Sequence, residues 1–365
     1  MPRKSKKNKT SASGKKHGSR KNLYRGIFAL IIVLFIGGLA VSYKYYHLIY
    51  RTNVDLGNKE SVYIFIPTNS GFDAVKTILY KENYIKDKES FEWLCEKKGY
   101  TAKVKSGRYL LKNHMSNNEL INMLRNGRQD PLKVTFNNIR TKQQFAGRIG
   151  KLIEADSASI MSLLSNEDFL KKYNLNIDNV MCVFIPDTYE MYWDTPADKF
   201  FEKMYNHYSK FWNDSRKQKA AEMGISPTDV VILASIVYQE TKKKDEMSRI
   251  AGVYLNRIHK KMPLQADPTV IFALGDFSIK RLLNDQLEIE SPYNTYKNLG
   301  LTPGPICLPD AFVIDKVLDY EKHDYLYFCA KEDFSGYHNF AETAAQHALN
   351  AQKYHNALNN LRIKN

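Results

Sequence analysis

The residues best suited to chemistry lie between Ser226 and His347. The stretch SPTDVVILASIVYQETKKK, Ser226 to Lys244, predicts a helix with a well-marked start. Ser226 suits the N-cap, Pro227 the first helical position and Asp229 the third. Along it Leu233, Ile236, Val237 and Glu240 fall at i, i+3, i+4 and i+7, so Glu240 shares the face that its aliphatic neighbours bury. A carboxyl held against aliphatic side chains has its charged form disfavoured, which suits a general acid working near neutral pH. The competing reading is an ordinary helix end, where Glu240 meets Lys243 or Lys244 at i+3 or i+4.

Several polar segments follow. A second helical stripe, Met247, Ile250, Ala251, Tyr254, Leu255 and Ile258, ends in Asn256 and Arg257, which offer an amide and a guanidinium. MPLQADPTVIFALG crowds Gln265, Asp267 and Thr269 onto a loop punctuated by Pro263 and Pro268; SPYNTY, Ser291 to Tyr296, is a further polar loop carrying aromatics. GLTPGPICLP, Gly300 to Pro309, is a stiff proline and glycine segment, and HNFAETAAQH brings His338, Thr343 and His347 close in sequence. Hydrogen-bonding loops held by prolines between apolar elements are where sites sit on a rigid scaffold.

Other chemistries find little support. The four cysteines, Cys95, Cys182, Cys307 and Cys329, include no close pair, which excludes zinc spacings. Cys307 and Cys329 are near enough to suggest a disulfide, with buried free thiols the alternative. There is no H-E-x-x-H, and His338 with His347 has the wrong spacing for a metalloprotease. No nucleophile elbow or cofactor motif is present, so no cofactor and no metal are expected.

The elements that must position these residues begin with a membrane anchor. Met1 to Arg25 carries ten Lys/Arg and no acid, followed by Gly26 to Tyr43, eighteen residues without a charge. A spanning helix needs about 20 mainly apolar residues, whereas the apolar region of a signal peptide runs about 7–15. An uncleaved transmembrane helix over 26–43 with a cytoplasmic tail over 1–25 is therefore expected. The net charge of +15 is concentrated in that tail, leaving 44 basic against 39 acidic residues beyond it, so a nucleic-acid partner is not expected.

Past the anchor, Ser61 to about Arg128 reads as a small α+β module over 60–130. It has a strand at Val62 to Pro67, a helix opened by a box at Ser70 to Asp73, and a strand at Ser106 to Leu111. A last helix is capped by Ser116 and Glu119 and ended by Asn126-Gly127. From Pro131 to the end, 131–365, a helix-rich α+β domain is expected. It opens with a strand at Leu132 to Phe136 and helices boxed by Thr141 to Gln144 and Ser165 to Asp168. VFIPDTYEMYWDT clusters Tyr189, Tyr192 and Trp193, either as core or as a platform for the apolar faces of sugar rings.

ASIVYQET, LNR, LQADPTVI, SPYNTY and GLTPGPI, in this order, resemble the membrane-bound endolytic murein transglycosylases, the YceG-like family; IPDTYE and the terminal HNF…T…QH pattern match it too. The resemblance covers the chain from the anchor onward. It implies an N-terminal anchor in the inner membrane, a LysM-like module with Ser106 to Tyr109 on its strand, and a periplasmic catalytic domain acting on peptidoglycan glycan strands beside the cell-wall synthesis machinery. The family pattern A-S-I-V-E-x-E ends on a catalytic glutamate. Tyr238 replaces its first glutamate here, leaving Glu240 as the one carboxylate of the motif.

The implied activity is cleavage of the MurNAc–GlcNAc β-1,4 bond within strands, giving 1,6-anhydro-MurNAc ends and terminating elongation. Glu240 is the implied acid, and Gln265, Asp267, Tyr293, Asn294 and His338 are the candidates for holding the glycan, each of which could equally be a structural loop residue. Two alternatives are a non-catalytic peptidoglycan-binding scaffold and a hydrolytic muramidase. The latter needs a second carboxylate about 5–10 Å from the acid, for which Asp187, Glu190 and Asp267 are available.

Overall fold

The computed structural model describes residues 1, 2, 4, 5 and 17–360; most of the basic tail lies outside the described residues. The described chain is helix-rich α+β and divides at Asp130/Pro131 into two compact units.

The first unit opens with α1, His17–Tyr50, whose segment Lys21–Tyr50 is long and apolar enough to cross a membrane; its apolar stretch is exposed, while Leu48 and Ile49 near its end are half-buried. Then come β1 (Ser61–Ile66), α2 (Phe72–Lys81), α3 (Lys88–Lys97), β2 (Gly107–Lys112) and α4 (Asn117–Asn126). β1 and β2 pair antiparallel, with Ile64 opposite Tyr109, and bury Ile64, Ile66, Tyr109 and Leu111 against Leu79, Phe91 and Leu120 from the helices. Ser116 and Glu119 form the expected capping box, and Gly127 ends α4 in the left-handed conformation at φ 67°. The box expected at Ser70 does not form. Ser70 closes a turn onto the Pro67 carbonyl, so α2 starts one residue later, with Gly71 as an N-cap that offers no side chain.

The second unit begins with β3 (Leu132–Phe136), α5 (Lys142–Ile149), α6 (Ser157–Leu164), α7 (Glu167–Lys171) and β4 (Asp187–Met191). β3 and β4 pair antiparallel, and Phe136 stacks on Tyr189 with centroids 5.4 Å apart. Thr141 and Gln144 box α5 as expected. Ser165 does not cap α7; it terminates α6, and Asn166 receives the Phe169 amide instead. Of the clustered aromatics, Tyr189 is core, Trp193 packs on that core and Tyr192 is exposed.

The remaining elements are α8 (Ala197–Phe211), α9 (Asp214–Glu222), α10 (Pro227–Glu240), α11 (Met247–His259), α12 (Asp267–Leu274), α13 (Ala311–Leu318), β5 (Tyr327–Ala330), β6 (His338–Ala341) and α14 (Ala344–Asn360). Every residue of α10 from Val230 to Val237 is buried, so it is the central helix of this part of the domain. α11 and α13 pack on it, and the β5–β6 hairpin lies against α11 and α14.

Candidate active site

α10 is built as its sequence predicts. Ser226 accepts the Asp229 amide, Asp229 returns to the Ser226 amide, and Pro227 occupies the first turn. Glu240 is the last helical residue, because Thr241 turns to extended backbone. Buried Ser235 ties the helix to the proline-rich segment: its Oγ donates to the Ile232 carbonyl and accepts the Ile306 amide at 3.0 Å. Tyr238 donates to Asp310 at 3.0 Å.

The lysines do not take Glu240 as a partner. Lys243 lies over the Tyr337 ring and Lys244 over the Phe312 ring. Glu240 Oε1 instead accepts from the Tyr254 hydroxyl at 2.6 Å. The carboxyl borders a cavity of about 390 Å³ while protein surrounds it on its other sides. That burial pushes its pKa from 4.5 up to about 7; the Tyr254 hydrogen bond opposes the shift, nearby Asp267 adds to it and Arg257 opposes it.

α11 assembles the walls of this cavity. Gly252 leaves no room for a β-carbon, which would stand 2.4 Å from the Glu321 carbonyl, so the segment entering β5 can approach. Asn256 then donates to the His323 and Tyr325 carbonyls, and the buried Arg257 donates through Nε to the Leu326 carbonyl at 2.6 Å. Nη1 of Arg257 also reaches the carbonyls of Pro263 and Leu264 and Oε1 of Gln265. One guanidinium therefore joins the β5 approach to the loop before α12, a task suited to its fixed fork of donors.

That loop is laced to the SPYNTY segment. Gln265, in the left-handed region at φ 52°, donates its amide to the Thr295 carbonyl, and Ala266 donates to Thr295 Oγ1. Asp267 and Thr269 are not loop residues as expected but open α12, because Thr269 caps back onto the Ala266 carbonyl and meets Thr295 at 2.8 Å. Asp267 Oδ1 accepts from the Tyr296 hydroxyl at 2.5 Å.

Of the residues singled out from sequence, Glu240, Gln265, Asp267 and His338 line the one cavity. Tyr293 and Asn294 do not. Tyr293 packs on Phe272, and the fully buried Asn294 uses its amide on the Leu287 and Ile289 carbonyls, holding the loop that presents Tyr296. Asp187 and Glu190 stand exposed on β4, outside the cavity lining, so Asp267 is the remaining candidate for a second carboxylate. Tyr254, Arg257, Tyr296 and His347 also line it; the sequence marked Arg257 and His347 as polar groups without assigning them to the site, and gave no sign of a role there for Tyr254 or Tyr296. Tyr254 looks like one more member of an apolar stripe, and only its position one helix away from Glu240 gives it a role. The cysteines are free thiols: Cys307 is buried and donates to the Ser235 carbonyl, while Cys329 borders the cavity.

A larger cavity of about 600 Å³ lies in the first unit, but its Glu119 is spent on the Ser116 capping box, which holds that carboxyl below its ordinary range. The smaller cavity carries the acid.

Fold and site together define an α+β protein with a candidate acid-catalytic cleft, in which one carboxyl ends a buried helix and is ringed by hydroxyl, amide and imidazole groups. The YceG-like family profile matches residues 64–353, and the chain belongs to that family. It is 32% identical over 317 residues to the endolytic murein transglycosylase of Bacillus subtilis (strain 168), covering 82% of this chain and 87% of that one. It is 26% identical over 337 residues to the endolytic murein transglycosylase of Streptococcus pneumoniae (strain R6), covering 83% of this chain and 60% of that longer one. Among solved structures, a YceG-like protein from Listeria monocytogenes aligns with a TM-score of 0.53 at 27% identity, over 80% of this chain and 99% of that one.

Proposed function

We propose that this protein is an endolytic lytic transglycosylase, anchored by α1 in the cytoplasmic membrane, whose second unit cleaves the MurNAc–GlcNAc β-1,4 bond of peptidoglycan on the far side of that membrane. The observation that carries the reading is Glu240: a carboxyl raised to about 7 by burial, at the edge of a polar cavity, in a chain related to endolytic murein transglycosylases. At neutral pH such a group is present both as acid and as carboxylate, which a residue acting first as one and then as the other requires.

In this mechanism Glu240 donates its proton to the glycosidic oxygen, and the C1–O bond breaks with oxocarbenium character at C1. The resulting carboxylate takes the proton of the muramic acid C6 hydroxyl, whose oxygen bonds to C1 and closes the 1,6-anhydro ring. Atoms balance without water. Tyr254 holds Oε1, leaving Oε2 as the oxygen that exchanges the proton. Gln265, Asp267 and His338 border the cavity in which the sugars bind; Tyr293 and Asn294 contribute by shaping the neighbouring loop.

The strand–helix–helix–strand order of β1, α2, α3 and β2 supports a LysM-like reading of the first unit, with glycan strands as its ligand and the cell-wall synthesis machinery as the neighbouring assembly. The polybasic tail before the span supports a cytoplasmic N-terminus.

The test is product analysis of intact glycan strands digested by the full chain in heavy-oxygen water. Internal fragments with unlabelled 1,6-anhydro ends are expected. Labelled reducing ends would establish hydrolysis and make Asp267 the partner that activates water.

A further inference from the structure

Glu246 lies six residues beyond the acid and outside the cavity lining, yet among the described residues it is the least exposed Asp or Glu, at 3%. It occupies the N-cap of α11, where the helix N-terminus favours negative charge. Both its oxygens are committed to one residue: Oε1 accepts the backbone amide of His338 and Oε2 meets Nδ1 of the same imidazole, each at 3.0 Å. Arg249, one turn along α11, directs its Nε to Glu321 at 2.9 and 3.1 Å, so the hydrogen bonds to the Glu246 carboxylate come from His338. The Phe328 ring stands edge-on to the imidazole, with centroids 5.3 Å apart, and fixes its plane.

A carboxylate only accepts, so the ring nitrogen facing it must carry the hydrogen. In the neutral imidazole that leaves Nε2 as a bare lone pair. Nε2 has no hydrogen-bond partner among the described residues and is not among the fully enclosed polar atoms, while His338 borders the cavity. The charged and imidazole groups sharing that cavity are Glu240, Arg257, Asp267 and His347.

We infer that Glu246 is a positioning residue: it holds His338 as the Nδ1–H tautomer, so that Nε2 accepts a hydrogen bond from a hydroxyl of the glycan beside Glu240. This rests on the transglycosylase reading for its substrate, but not for its tautomer. The substitution Glu246→Gln tests the tautomer, and His338→Phe tests the contact to substrate. Glutamine has one accepting oxygen and one donating amide, and the His338 backbone amide can only donate. The oxygen must therefore face the backbone and the NH₂ must face Nδ1, which drives the ring hydrogen to Nε2.

The experiment uses the full chain labelled with ¹⁵N-histidine in detergent micelles. Long-range ¹H–¹⁵N correlation is recorded where the ring is neutral, and His338 is assigned by the signals lost in His338→Gln. The wild type is expected to show the hydrogen on Nδ1, and Glu246→Gln to show it on Nε2. In parallel, KM for glycan strands should rise about tenfold in His338→Phe, which has no ring nitrogen to offer, with kcat changed less, the loss of one hydrogen bond to substrate. A wild-type ring protonated on Nε2, or on both nitrogens throughout the working pH range, would overturn the inference. So would an unchanged KM in His338→Phe. If Glu246→Gln does not fold, the wild-type spectrum alone decides the tautomer and the His338→Phe kinetics decide the contact. Should Glu240→Gln retain cleavage, the transglycosylase site fails while the tautomer result stands.

Discussion

Replacing Glu240 by glutamine should abolish cleavage and, at neutral and alkaline pH, make the protein more stable. Glutamine keeps the shape of the side chain and an oxygen for the Tyr254 hydroxyl, but it cannot ionise. Unfolded, the glutamate releases its proton near 4.5; folded, burial delays release to about 7. Below about pH 4.5 both states hold the proton, and the ionisable group makes no difference to folding. Between there and about 7 the unfolded state loses its proton first, so wild-type stability falls as pH rises, and above about 7 the whole penalty stands. At about 1.4 kcal/mol per pH unit the gap is about 3 kcal/mol, which contact with cavity water reduces to between about 2 and 3. For a domain of this size that corresponds to a Tm difference on the order of 5–10 °C. Thermal unfolding of both proteins at pH 4.5 and pH 8, beside a glycan digestion assay, reads the effect directly. A Tm difference equal at the two pH values would refute the argument that burial sets the acidity of Glu240, and residual turnover near wild type would move the acid to Asp267.

Tyr254→Phe removes the hydrogen bond that holds the Glu240 carboxylate, so the alkaline limb of kcat/KM against pH should move upward and kcat should fall. Arg257→Lys leaves a single ammonium to serve carbonyls on two segments; urea unfolding should show a loss of about 3 kcal/mol, with the β5 approach and the loop before α12 gaining hydrogen exchange. A reporter active only outside the cytoplasmic membrane, fused after Asn365, should be active, with the chain staying in the membrane fraction at high salt; release of a shortened soluble form would instead mark Gly26 to Tyr43 as a cleaved signal peptide.

Much of this could be read along the chain because its physics is local. The apolar run of Gly26 to Tyr43 needs no partner to declare itself, and neither does the capped start of α10, since Ser226, Pro227 and Asp229 satisfy helix N-terminal amides within one turn. The burial-facing position of Glu240 follows from helical periodicity. Where two local signals competed, sequence placed boundaries less well: Ser165 could cap the helix after it or end the one before it, and the backbone chose the latter.

What periodicity cannot supply is distance between segments. Sequence determined that an acid sits on an apolar helix face, and that polar loops follow it in a family-like order. Only the tertiary structure decided which groups meet that acid. It brought Tyr254 to 2.6 Å from Glu240, sent Lys243 and Lys244 to aromatic rings, turned Asn294 into a buried loop brace and set Glu246 against His338 across 92 residues. These outcomes depend on desolvation and on hydrogen bonds that must be satisfied once water is excluded, and those costs arise only when distant segments pack together.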